Sequence, residues 1–111
     1  MKRVISIMMM FFVLKACKKN DDSKMTIQEG RILVETNDCK TCHHPTNKII
    51  GPAHLDVAKK YETTEENIQM LANRIIQGGS GVYGEIPMTA HTDLSLEDAR
   101  KMSLYILSLD E

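Results

Sequence analysis

The feature that most constrains this 111-residue chain is the pentapeptide Cys39-Lys40-Thr41-Cys42-His43. Cys-x-x-Cys-His is a motif through which haem is attached covalently to a polypeptide. Two thiols three residues apart lie on one side of a helical turn, so each can add to a vinyl group of one porphyrin. The next residue then presents its imidazole to the iron from one face. The pentapeptide therefore predicts one covalently bound haem.

Two haem-free chemistries also use a Cys-x-x-Cys pair. A thiol–disulfide redox site is one, but it is typical of a βαβ unit with a strand before the motif, and no such pattern is visible. A zinc site is the other, with His43 and His44 completing a set of two cysteines and two histidines. Adjacent histidines directly after the cysteines do not match the usual spacing of a zinc finger. Both alternatives stay open at this point.

The first sixteen residues predict an export signal. Lys2 and Arg3 precede an apolar run at 4–14, which is too short for a typical membrane-spanning helix of about 20 residues. Leu14-Lys15-Ala16-Cys17 resembles a bacterial lipobox, in which Cys17 carries a lipid and becomes the first mature residue, although Lys15 departs from that pattern. We expect an exported, periplasmic protein with Cys17 as a lipid anchor to a membrane. Ordinary cleavage nearby is the alternative.

Charge argues against nucleic acid as a partner. Of the 14 Lys and Arg residues three precede Cys17, so 11 remain against 15 Asp and Glu residues, a net charge of −4 for the mature part. Such a chain has no basic stripe to meet phosphates. The mature part also contains no Trp and no Phe. A buried haem would supply apolar mass that a short chain of this composition lacks.

The rest of the chain predicts one all-α domain. Residues 17–24 are charged and without apolar anchors, so we expect a flexible tether before a domain at 25–111. Gly and Pro make 44–53 and 78–92 loops, and loops this long are unusual in a small domain unless they wrap around something. Apolar spacing and capping residues predict three or four helices, which run from Thr26 to near Asp38, from about His54 to Lys60, from Thr63 to Gly78 or Gly79, and from Ser95 onward.

From Gly30 to Leu109 the sequence resembles the small bacterial class I c-type cytochromes, the monohaem cytochrome c family. Pro52 follows His43 by nine residues, within Ile50-Gly51-Pro52-Ala53, and Gln77 to Met88 resembles the loop that carries the second iron ligand in that family. The resemblance implies a cytochrome c-like fold around one haem c. It also implies a hydrogen bond from the His43 ring to the Pro52 carbonyl, which would orient the iron ligand and raise its basicity.

The same resemblance assigns the remaining site residues. Cys39 and Cys42 would bind the haem covalently, and His43 and Met88 would be the iron ligands. Met88 alone of the methionines lies in a Gly- and Pro-rich loop, directly after Pro87, and His54 or His91 is the rival distal ligand. His91 is expected near the Met88 sulfur, and His44 is expected to be exposed at the haem rim. Tyr83 stands where many relatives carry Trp, and its hydroxyl would bond a haem propionate.

The resemblance also implies that the first and last helices cross closely. Gly30 and Val34 of the first helix would meet Leu104 and Tyr105 of the last. A glycine within a helix costs about 1 kcal/mol relative to alanine, so a packing reason is expected for Gly30.

Ligation by histidine and methionine would leave no open position on the iron and would raise the reduction potential. The expected function is therefore outer-sphere transfer of single electrons between redox partner proteins, without enzymatic activity of its own. An electron-entry subunit of a larger periplasmic oxidoreductase is the alternative, because it would carry the same signals. A peroxidase is disfavoured because no further catalytic constellation is visible.

Overall fold

The computed structural model describes residues 19–110. Within these residues the chain forms helices and loops and no β-strand, with one isolated antiparallel bridge between Gly79 and Met88. The predicted all-α fold is confirmed. The elements are helix α1 (Lys19–Thr36), a 3₁₀ turn (Asp38–Thr41), helix α2 (His54–Lys60), helix α3 (Glu65–Gln77) and helix α4 (Leu96–Leu107).

Helix α1 begins earlier than the sequence predicts. It starts at Lys19 rather than Thr26, so it includes residues 19–24 of the segment predicted as a tether. The stretch contains neither Pro nor Gly, so no residue in it breaks a helix. The helix also ends before the predicted Asp38. Thr36 Oγ1 donates a hydrogen bond to the Ile32 carbonyl at 2.8 Å, which closes the last turn.

The other helices lie close to their predicted positions. Helix α2 has the predicted bounds. Thr64, rather than the predicted Thr63, caps α3, because its hydroxyl accepts the backbone N–H of Asn67 at 3.2 Å. Ser95 caps α4 as predicted, with its Oγ accepting the N–H of Asp98 at 3.1 Å. Each cap satisfies a backbone donor that the first helical turn leaves free.

The apolar core joins the first and last helices to α3. Val34 of α1, Ile75 of α3 and Met102 of α4 are buried in one cluster, and Tyr105 packs against it. At the crossing of α1 and α4, a methyl group added to Gly30 would collide with the Lys101 carbonyl and approach Tyr105 Cβ to 3.0 Å. The predicted close approach of the terminal helices at Gly30 is therefore confirmed. The resulting frame holds the two long loops that form the site.

The predictions for the N-terminus concern residues that the structure does not describe. The export signal at 1–16 and the candidate lipid anchor Cys17 lie outside the described residues. Among the helices formed by residues 19–110, none has both the length and the apolar character needed to cross a bilayer.

Candidate cofactor site

A deep cleft separates the 3₁₀ turn and the 44–53 loop from the 78–92 loop. Its volume is about 720 Å³, within the range of about 300–1,000 Å³ that is usual for cofactor pockets. Helices α3 and α4 contribute apolar side chains such as Leu71, Ile75 and Met102 to its wall. The cleft brings together six predicted site residues, namely Cys39, Cys42, His43, Pro52, Tyr83 and Met88.

The 3₁₀ turn positions the two cysteines and the histidine. The N–H groups of Cys42 and His43 both donate to the Cys39 carbonyl, at 3.2 and 2.8 Å. Neither cysteine forms a disulfide with another described residue, and both are of intermediate exposure. Burial, followed by the negative charge of Asp38, raises the pKa of the Cys39 thiol.

His43 is fixed by the loop that faces it. Its Nδ1–H donates to the Pro52 carbonyl at 2.8 Å. This bond selects the tautomer in which Nε2 keeps its lone pair for a metal. The loop is closed by a backbone hydrogen bond of 2.6 Å from Gly51 N–H to the Cys42 carbonyl. A methyl group on Gly51 would lie 2.5 Å from His43 Cε1 and 2.8 Å from Nδ1, so only glycine leaves room for the ring.

His54 packs on the same side of the cleft as His43. The two imidazole rings are stacked, with centroids 5.1 Å apart and an angle of 27° between the ring planes. His54 is buried, and burial, with lesser contributions from His43 and His44, lowers its pKa to about 4. A ring stacked on His43 is poorly placed to bind iron from the opposite face of a porphyrin. His54 is therefore disfavoured as the rival distal ligand.

The loop opposite His43 carries Met88 at the cleft wall. Gly79 and Met88 exchange two backbone hydrogen bonds of 3.2 and 2.7 Å, which close the base of the loop. Gly78 makes this geometry possible, because its φ is +70° and an added methyl group would collide with the Met88 carbonyl. Met88 is half-buried and packs on the same core cluster as Cys39.

His91 is occupied by other partners. Its backbone N–H donates to the carbonyls of Ile75 and Ile76, at 3.1 and 3.0 Å. Its Nε2–H donates to Asp38 Oδ1 at 2.6 Å, and its Nδ1 lies 3.3 Å from the Ile75 carbonyl. The bond to Asp38 raises the pKa of His91, and the same bond lowers the pKa of Asp38. With both ring nitrogens engaged, His91 is disfavoured as an iron ligand. His44, in contrast, is exposed as predicted.

An unpaired polar group marks another part of the cleft. The Tyr83 hydroxyl is buried and has no hydrogen-bond partner among the described residues, and burial raises its pKa. Arg74 also lines the cleft, and its Nη1 donates to the Tyr61 hydroxyl at 3.1 Å. Arg74 was not predicted from the sequence, because a basic residue in the last turn of a helix has an ordinary structural explanation.

The cleft fits a covalently attached haem. It has apolar walls, two thiols beside an oriented imidazole, and a thioether on the opposite loop. The unpaired Tyr83 hydroxyl and the Arg74 guanidinium suit a ligand that carries acidic groups, as the haem propionates are. Thioether and imidazole together are a donor set typical of haem iron.

Comparisons with known proteins agree with this interpretation. A sequence model described as cytochrome c matches residues 27–110. Cytochrome c-552 of Nitrosomonas europaea is 39% identical over 77 residues, which cover 69% of this chain and 75% of the relative. Cytochrome c-552 of Hydrogenobacter thermophilus is also 39% identical over 77 residues, which cover 69% of this chain and 78% of the relative. Cytochrome c-551 of Pseudomonas aeruginosa is 33% identical over 81 residues, with coverages of 73% and 77%.

The fold is similar to a solved structure as well. The crystal structure of wild-type Nitrosomonas europaea cytochrome c552 matches with a TM-score of 0.67 and 38% sequence identity. The match covers 72% of this chain and 99% of that one. The chain therefore belongs to the monohaem class I cytochrome c family, whose members are electron carriers with one covalent haem c and not enzymes.

Proposed function

We propose that this chain is an exported single-electron carrier whose haem is held by Cys39 and Cys42 through thioether bonds. His43 Nε2 and Met88 Sδ would hold the iron. The observation that carries the proposal is the hydrogen bond from His43 Nδ1 to Pro52, with Met88 on the opposite loop of the same cleft. It leaves Nε2 as the free donor atom and gives the cleft one imidazole and one thioether.

The bound haem supplies a reversible one-electron change at iron. The side chains around the haem set the reduction potential and determine whether a substrate can reach the iron. Pro52 holds the His43 ring in one orientation and makes its Nε2 a better donor, while Met88 contributes a neutral sulfur that raises the potential. With His43 and Met88 both holding the iron, no position would remain for a substrate, and electron transfer to partners would be outer-sphere.

Tyr83 and Arg74 have a supporting role in this proposal. The buried Tyr83 hydroxyl would donate to a haem propionate and so lose its unsatisfied state. Arg74 would compensate the negative charge on the same side of the cleft. Because Tyr61 accepts a hydrogen bond from Arg74, the guanidinium is already ordered before it meets that charge.

The surface around the cleft suits contact with a redox partner. Among the described residues six large apolar side chains are exposed, and four of them line this cleft, namely Ile49, Ile50, Val82 and Ile86. The haem would cover the parts of these side chains that face the cleft, and the parts left outside would form an apolar rim around it, which is typical of an interaction site. A partner docking there would come close to the cofactor.

The remaining assignments concern the N-terminus. We propose residues 1–16 as an export signal, with Cys17 as a lipid anchor and residues up to 24 connecting it to the domain at 25–111. The Leu14-Lys15-Ala16-Cys17 sequence supports the anchor. An anchored carrier in the periplasm would meet its donors and acceptors at a membrane surface. Mass spectrometry of the purified membrane fraction tests this, and an unmodified Cys17 or its removal by cleavage would contradict it.

Replacement of Met88 tests the distal ligand. Met88→Leu removes the sulfur and nearly conserves the volume, so we expect the oxidised protein to lose its far-red methionine–iron absorption and to bind added imidazole readily. The reduction potential should fall. Met70→Leu is the control, because Met70 lies in α3 outside the cleft lining. A Met88→Leu protein with the same spectrum and potential as the Met70→Leu control would reject the assignment.

A further inference from the structure

Asp38 and His91 connect the two segments that border the cleft. Asp38 directly precedes Cys39, and His91 comes three residues after Met88. Although 53 residues separate them in the sequence, His91 Nε2 donates to Asp38 Oδ1 at 2.6 Å. The bond therefore joins the haem-attachment turn to the end of the Met88 loop.

The two partners differ in their surroundings. The His91 side chain is only 14% exposed, whereas the Asp38 side chain is 68% exposed. His91 is held from its other sides by the carbonyls of Ile75 and Ile76, which anchor it to the end of α3. A charge-assisted hydrogen bond to a group that is already ordered loses little side-chain entropy, which makes it stronger than a bond between two mobile surface groups.

We propose that the Asp38–His91 pair is a non-covalent cross-link, made by one hydrogen bond, that keeps the Met88 loop closed on the cofactor. His91 is then a positioning residue for the distal ligand. This inference rests on the proposed ligation of iron by Met88. His91 acts here through the backbone between residues 88 and 91. It does not act by contact with the sulfur, because its ring nitrogens are bound to Asp38 and Ile75.

The physical reason lies in how the loop is otherwise held. Between its base at the Gly79–Met88 bridge and its far end, most residues from 79 to 87 are exposed and contribute few buried contacts. A segment of this kind opens at a lower free energy than a packed helix does. On the C-terminal side of Met88, the backbone hydrogen bonds from His91 to Ile75 and Ile76 hold the chain to α3. The Asp38–His91 bond adds a restraint of another kind, because it ties this end of the loop to the haem-attachment turn.

The test measures how fast the methionine leaves the iron. In the haem-loaded, oxidised protein, the rate of imidazole binding at saturating imidazole reports the opening of the methionine–iron bond. Asp38→Ala removes the acceptor and should raise this limiting rate by roughly threefold to tenfold, as expected for the loss of one partly exposed charge-assisted hydrogen bond. Asp38→Asn, which keeps a neutral acceptor, should give an intermediate rate.

Asp93→Ala is the matched control. Asp93 is an exposed residue of the same loop that acts on His91 through its charge. Asp93→Ala removes one negative charge, as Asp38→Ala does, but it leaves the hydrogen bond between Asp38 and His91 in place. We expect its limiting rate to equal that of the unmodified protein. Equal rates for Asp38→Ala and Asp93→Ala would overturn the cross-link.

A second measurement does not depend on imidazole. Hydrogen exchange of the Met88 amide, which donates to the Gly79 carbonyl at 2.7 Å, should accelerate in Asp38→Ala. Exchange of core amides in α4 should not change. If all amides exchanged faster, the substitution would have destabilised the whole protein, and the proposed local restraint would be wrong. Absence of the methionine–iron absorption from the unmodified protein would be a different failure, because it would reject the ligation by Met88 itself.

Discussion

The two sides of the cleft are held in different ways. On the His43 side, hydrogen bonds between residues close in sequence fasten the loop, including those from His54 N–H to the His44 carbonyl and from Leu55 N–H to the Pro45 carbonyl, at 3.1 and 3.0 Å. Ala53 and His54 are buried behind it. On the Met88 side, an exposed loop is tied mainly near its ends.

This difference suggests separate roles for the two proposed ligands, His43 and Met88. Local hydrogen bonds and burial raise the free energy needed for opening, and exposed loops lower it. We therefore expect His43 to stay bound under conditions in which Met88 dissociates. In this chain, nearby residues would keep His43 in one orientation, whereas the position of Met88 would depend on contacts between distant segments. Three predictions test this contrast, beyond the Met88 and Asp38 experiments above.

The largest effect is expected from a change on the His43 side. Gly51→Ala places a methyl group 2.5 Å from His43 Cε1, so the ring must move and the hydrogen bond to Pro52 must lengthen. We expect a loss of about 1–3 kcal/mol in the free energy of unfolding, as for other overpacked sites. The iron–histidine Raman band should also shift. Denaturant titration and Raman spectroscopy measure the two effects.

Gly79→Ala is the control for this substitution. No atom lies within 4 Å of the methyl group that it adds, although a φ of +141° adds strain of its own. Its iron–histidine band should therefore stay at the position found in the unmodified protein. An unchanged band in Gly51→Ala would show that His43 is not held as tightly as we infer.

A more local effect, limited to one ligand, is expected from a change on the Met88 side. Gly78 has a φ of +70°, where an alanine costs about 1–2 kcal/mol, and its added methyl group would also meet the Met88 carbonyl. Gly78→Ala should weaken or remove the methionine–iron absorption while the iron–histidine band persists. Simultaneous loss of both signals would contradict the proposed independence of the two sides. Absorption and Raman spectra of one sample decide between these outcomes.

The smallest effect concerns pH. The pKa of His91 is raised, so its contribution to stability is complete below its unfolded value and is lost as pH rises through the folded value. The pKa of Asp38 is lowered, so its contribution is present above its unfolded value and is lost as pH falls through the folded value. The pair should therefore contribute most between about pH 4 and 6.5.

The measurement is the difference in unfolding free energy between the unmodified protein and Asp38→Ala across pH. That difference should be largest inside this interval and should shrink on both sides. Asp93→Ala, which changes the same charge, should give a smaller and flatter difference. A difference for Asp38→Ala that does not vary with pH would show that the bond does not depend on the ionisation of its partners.

Much of the fold was predictable because it follows from neighbouring residues. Ser95 and the bounds of α2 were predicted from caps and apolar spacing, which involve residues within one or two turns. The start of α1 was predicted wrongly. The capping signal at Thr26 competed with a polar segment that has no helix breaker, and nothing local in the sequence decided between them.

The same distinction applies to the site: residues linked by short spacing were predictable, and residues brought there by packing were not. Cys39, Cys42 and His43 are recognisable because their chemistry needs a fixed spacing within one turn, and Pro52 lies on a short loop that returns to the same turn. Arg74 was not predicted as a lining residue of the cleft, because its position depends on how α3 packs against the rest of the chain.

The sequence by itself therefore determined the attachment turn, three helix positions, the loops and the class of cofactor, since each depends on contacts between near neighbours. Only the tertiary structure decided that His54 stacks on His43 and that His91 binds Asp38 rather than being free to bind a metal. The contact of Gly30 with the backbone of α4 was expected from the family resemblance and not from the neighbouring residues. The physical reason is that such contacts depend on the path of the whole chain, and no pattern among neighbouring residues predicts that path.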